Sequence, residues 1–71
     1  MIIPTVTNVP FLAAELVRLH YEFCRLDDLD AQTSNAQAQT HIIRKIDTAL
    51  GTDRWTFDID TATVTLDGTT Y

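Results

Sequence analysis

Apolar residues fall at helical spacing through the first two thirds of the chain and at alternate positions near its end. Between Asn8 and Leu29, the residues Leu12, Leu16, Leu19, Phe23 and Leu26 recur at intervals of four, three, four and three, which puts them on one stripe of an α-helix. Val17, His20 and Cys24 widen that stripe on one flank, as in a helix that packs against more than one neighbour. Cys and His bordering such a stripe are expected to be core fillers. On the opposite side Glu15, Arg18, Glu22, Arg25 and Asp28 form a ladder of mixed sign, whose exposed pairs contribute only about 0.2–0.5 kcal/mol each. Asn8 is the expected N-cap and Pro10 tolerates the first turn, so this helix starts near Val9.

Asp27, Asp28 and Asp30 interrupt the apolar run; carboxylates are poor at a helix C-terminus and favourable at the next N-terminus, so the first helix ends close to Leu26. Leu29, Thr33, Ala36, Thr40, Ile43, Ile46 and Leu50 keep a four-three rhythm and predict a second helix from Leu29, joined to the first by a tight acidic turn. A capping box of Ser34 with Gln37 offers a later start, with Asp30 to Thr33 as loop. The stop is set by Gly51, free to adopt the left-handed conformation after Leu50. Ile42, Ile43, Ile46, Ala49 and Leu50 supply the apolar face of that last stretch.

From Arg54 the period becomes two. Trp55, Phe57 and Ile59, then Val64 and Leu66, alternate with Thr and Asp, which predicts a β-hairpin with one apolar face. An odd loop would turn one strand inside out, so the connection holds two residues (Asp60-Thr61) or four (Asp60 to Thr63), the latter as a type I turn. Asp67-Gly68 is a further turn or bulge, leaving Thr69 to Tyr71 as a tail. Ile2, Ile3, Thr5 and Val6 favour a strand that Pro4 confines to a sheet edge. The expected fold is α+β over residues 1–71 as one small domain: a two-helix antiparallel hairpin packed on a C-terminal β-hairpin, with an N-terminal edge strand (β-α-α-β-β).

Composition narrows the function. Ten acidic residues against five basic ones leave a net charge of −5, which disfavours direct binding to nucleic-acid phosphates or anionic membranes. No apolar run approaches the roughly 20 residues a membrane span needs. The opening residues Met1 to Val6 carry no positive n-region, and the single Cys24 suits a reducing compartment, so a cytoplasmic location is expected, in the host cell if the chain is phage-encoded.

Candidate chemistry is sparse. His20 and Cys24 lie four apart, but a thiolate–imidazole pair or a zinc site would need further ligands, for which His41 is the nearest candidate. Asp27, Asp28 and Asp30 lack the glycine and glutamate of a calcium loop. No cofactor, metal or catalytic motif is expected. Trp55 and Phe57 belong with the core, whereas Tyr21 falls between stripe and ladder and is the aromatic expected to be exposed. The favoured reading is a small acidic non-catalytic protein-binding module, in the style of small phage or mobile-element proteins, that covers a basic nucleic-acid-binding surface of a larger host complex. Its candidate contact residues are Asp27, Asp28, Asp30, Asp58, Asp60, Asp67 and Tyr21. One alternative is a self-assembling structural or accessory subunit that shares the leucine stripe between copies. Another is a small winged-helix-like DNA-binding regulator reading bases through Gln39, Thr40, His41, Arg44 and Lys45, against which the acidic would-be wing and the missing third helix both count.

Overall fold

The computed structural model describes residues 5–71. Two antiparallel helices, α1 (Val9–Phe23) and α2 (Leu29–Leu50), are followed by a three-stranded antiparallel sheet of β1 (Thr56–Asp58), β2 (Thr63–Leu66) and β3 (Thr69–Thr70) in the order β1-β2-β3. The fold is therefore α+β with a C-terminal hairpin, as the pattern of periods indicates. The strand expected over Met1–Thr7 is not seen where it can be checked: residues 1–4 lie outside the described residues, and Val6–Asn8 form one turn of 3-10 helix. Asn8 precedes α1, but its Oδ1 turns back to accept from the Thr5 N–H at 2.9 Å and leaves the first turn of α1 uncapped.

The α1 helix stops at Phe23, three residues short of the expected end, and the chain turns through Cys24 and Arg25. Two bonds explain the tightness of this corner. The Leu26 N–H reaches only as far back as the Phe23 carbonyl, and the Gln32 side chain donates to the Leu26 carbonyl at 2.7 Å. Asp28 then caps α2 by accepting from the Ala31 N–H at 3.2 Å, so the helix begins at Leu29 and Ser34 with Gln37 lie inside it. Gly51 closes it at φ +74°, with its N–H on the Asp47 carbonyl.

Among the described residues seven apolar side chains are buried: Val9, Ala13, Leu16 and Leu19 of α1, Ile42 and Ile46 of α2, and Val64 of β2. Only Leu16 and Leu19 of the leucine stripe are among them, while Phe23 is 36% exposed. The inward face of α1 is turned toward Val9 and Ala13 because β2 as well as α2 packs on it. A similar rotation applies to α2. Its inward row is Asn35, Ile42 and Ile46 with Ala38 and Ala49, whereas Leu29, Thr33, Ala36 and Thr40 of the expected row are exposed. Asn35 is the buried polar group, donating to the Leu19 carbonyl of α1 at 3.0 Å and accepting from Gln39 at 2.6 Å. These two bonds offset the cost of burying its amide, and the one to Leu19 ties the two helices together.

Phe57 pairs with Val64 across β1 and β2, so both face the core and the connection holds four residues, 59–62. It lies one residue earlier than expected: Ile59 leaves the strand, Asp58 accepts from the Asp60 N–H at 2.9 Å, and Ala62 takes a left-handed φ of +55°. Asp67 and Gly68 both have positive φ, the signature of a two-residue type I′ turn. The expected tail is thus β3, with Leu66 opposite Thr69 and the Tyr71 N–H on the Val64 carbonyl at 2.7 Å. Trp55 ties the sheet segment to α2, its indole N–H donating to Asp47 Oδ1 at 2.6 Å.

Candidate protein-interaction surface

The six aspartates singled out from the sequence are all exposed, and they stand in three turns. Asp27, Asp28 and Asp30 occupy the corner between the helices and the first turn of α2. Local physics places them there, since Asp28 is the cap and Asp30 sits in the favourable field of the helix N-terminus. Asp58 and Asp60 flank the start of the β1–β2 loop, where the Asp58 carboxylate organises the turn. Asp67 lies in the β2–β3 turn, 3.7 Å from the Arg54 guanidinium with both side chains about three quarters exposed, a contact of little energetic weight. The acidic corner lies at the start of α2, whose 22 residues span about 33 Å, and the two sheet turns come after its C-terminal end in the chain. Among the described residues no three His, Cys, Asp or Glu side chains gather as a metal site, and no helix is long and apolar enough to cross a membrane.

On α1 the charges are organised by Arg18. Its guanidinium binds the Glu15 carboxylate through two nitrogens and Glu22 at 2.7 Å. The hydrogen bond from Arg18 holds the Glu15 carboxyl below its ordinary range against a smaller desolvation effect, with direct charge attraction adding to the lowering. The same bond raises the Arg18 pKa. This exposed network leaves one negative charge in excess, two carboxylates against one guanidinium.

Tyr21 is 52% exposed, its ring edge-on to His20 at 6.0 Å between centroids. His20 and Cys24 are exposed as well and Val17 is half-buried, so the expectation that this flank fills the core is corrected. The β2 strand packs on α1 and brings Val64 into the same buried cluster as Val9 and Ala13, while the residues of α1 beyond Leu19 are exposed. Phe11 at 76% and Leu29 at 73% are more exposed still, and neither was expected to be a contact residue. The signal for Phe11 was present, because it lies one residue before Leu12 and thus off the stripe. Of the residues named as a base-reading face, Thr40, His41 and Arg44 are exposed on a shallow concavity of α2 with Thr33, Ala36 and Gln37, while Gln39 is half-buried and held by Asn35. Comparison of the chain with protein-family models, curated proteins and solved structures finds no match, so no relative supplies a role for any of these residues.

Proposed function

We propose that the chain is a non-catalytic protein-binding module whose acidic turns cover a basic, nucleic-acid-binding surface of a larger partner. The observation that carries this reading is the display of Asp27, Asp28, Asp30, Asp58, Asp60 and Asp67, all exposed, with a single weak contact to a cation, Asp67 to Arg54, among the described residues. Carboxylates held on turns of a small rigid fold present a fixed array of negative charge at low ordering cost. Such an array competes with phosphates for the same arginines and lysines. The partner is a protein, by this reading, and the chain's own charge of −5 keeps it off nucleic acid.

The test is capture of a partner by the immobilised chain from lysate at low salt, repeated with a chain carrying Asp58→Asn and Asp60→Asn. A stoichiometric partner should be retained, released by added salt, displaced by duplex DNA, and held more weakly by the doubly neutralised chain. Retention indifferent to salt, to DNA and to the two substitutions would overturn the proposal, as would the lack of any stoichiometric partner.

A further inference from the structure

Asp67 is the aspartate of this chain that precedes a glycine, and the pair supplies the two central residues of the β2–β3 turn. An aspartyl carboxyl group can close a succinimide ring on the amide nitrogen of the next residue. The bulk of that residue's side chain and hydrogen bonding of its N–H ordinarily oppose the closure. Neither obstacle stands at Gly68. Open space lies where its Cβ would be. It falls outside the β2–β3 register pairs, and its N–H donates to no acceptor among the described residues. The Asp67 side chain is 74% exposed, and its ion pair with Arg54, at 3.7 Å, holds it only weakly. The other aspartates lack this combination, since each is followed by a residue with a Cβ. The N–H after Asp30 is bound by Asp28, and the one after Asp53 by Thr52. Asp58 and Asp60 precede the β-branched Ile59 and Thr61.

We infer that Asp67 is a self-modification site, at which the chain converts its own Asp-Gly link into an isoaspartyl link. The Gly68 nitrogen attacks Asp67 Cγ. As the new C–N bond forms, the nitrogen gives up its proton and the carboxyl its hydroxyl, and the two leave together as water. A second water then opens the ring. Cleavage at Cγ restores aspartate; cleavage at the main-chain carbonyl leaves the chain running through the side chain, with a free carboxylate on the α-carbon. One water is lost and one gained, so the mass is unchanged and no oxidant or reductant takes part. Ring closure needs the turn to flex, and little holds it shut: β3 has two residues, both exposed, paired to β2 alone. The product adds a methylene to the main chain, which a two-residue turn cannot absorb. Leu66 then no longer lies opposite Thr69, and the Tyr71 N–H loses the Val64 carbonyl. Conversion thus detaches β3, whether or not the acidic turns bind the partner proposed above.

Incubation of the folded full chain at physiological temperature and pH, beside the chain unfolded in urea, tests it. Tryptic digestion releases the segment after Arg54, and electron-transfer fragmentation distinguishes isoaspartate from aspartate at each position. Isoaspartate should accumulate at position 67 of the folded chain at no less than about a tenth of the unfolded-chain rate, as for a turn that opens at little cost. None is expected at Asp58 or Asp60 over the same period. Asp67→Asn, which suits the same turn type, closes the same ring with loss of ammonia and should convert faster, with a gain in mass. Asp67→Glu needs a larger ring and should not convert. Circular dichroism verifies that each variant is folded, and amide exchange at Tyr71 should accelerate in the converted parent. A folded chain that stays unconverted while the unfolded one converts, conversion shared equally with Asp58 and Asp60, Asp67→Glu converting like the parent, or Tyr71 still protected after conversion overturns the inference.

Discussion

Asp47 is a carboxylate in the last turn of α2, where the negative end of the helix dipole disfavours it by about 0.3–1 kcal/mol. Its position is explained by Trp55, whose indole N–H donates to it at 2.6 Å and joins the sheet segment to the helix. A hydrogen bond to a charged acceptor contributes about 1.5–3 kcal/mol when well shielded. Both side chains are only half-buried, so water can replace the acceptor and the lower end applies. Asp47→Ala removes the acceptor and relieves the dipole penalty, for a net loss of about 1 kcal/mol, or roughly 4–8 °C in Tm for a domain of this size. Asp47→Asn keeps an oxygen for the indole. The weaker neutral bond is offset by the relieved dipole, and stability should stay within about 0.5 kcal/mol of the parent. Urea unfolding followed by far-ultraviolet circular dichroism gives the stabilities, and the indole N–H resonance of Trp55 reports the bond itself. An Asp47→Ala chain as stable as the parent, or an Asp47→Asn chain as damaged as Asp47→Ala, would refute this account.

Ile46 is fully buried, and Ile46→Ala should cost about 2–5 kcal/mol, which in a domain with roughly 3–5 kcal/mol to lose leaves a largely unfolded chain by circular dichroism at 25 °C, while Ile46→Val stays folded. Gly68 has φ +83° with open space where a Cβ would stand, so Gly68→Ala pays a backbone cost alone, about 1–2 kcal/mol; amide exchange at Tyr71 should accelerate as β3 loosens. The Glu15 carboxyl is held below its ordinary 4.5 by Arg18, so its small stabilising contribution is complete above that value and fades as pH falls through the lowered folded-state pKa. Arg18→Gln should raise the Glu15 titration midpoint, followed by carboxyl carbon NMR, and an unmoved midpoint would refute the pairing in solution.

Element identity in this chain is local information. Asp28 and Gly51 bound α2 because a cap and a left-handed stop act within a turn of themselves, and the period of two after Arg54 requires a strand face whatever it packs against. The acidic corner follows equally locally from the dipole and capping needs of α2. Rotation of each helix about its axis is a different kind of fact. On α1 the row through Leu12 and the row through Val9 and Ala13 share Leu16 and nearly the same spacing, so local pattern does not decide which of them faces inward. Val64, some fifty residues away in the chain, joins Val9 and Ala13 in one buried cluster when β2 packs on α1. The buried side chains of α1 end at Leu19, and beyond it His20, Tyr21 and Cys24 are exposed. The strand at Thr69–Thr70 is likewise a tertiary result, because two residues have no period to read and become a strand only when the type I′ turn at Asp67-Gly68 folds them onto β2.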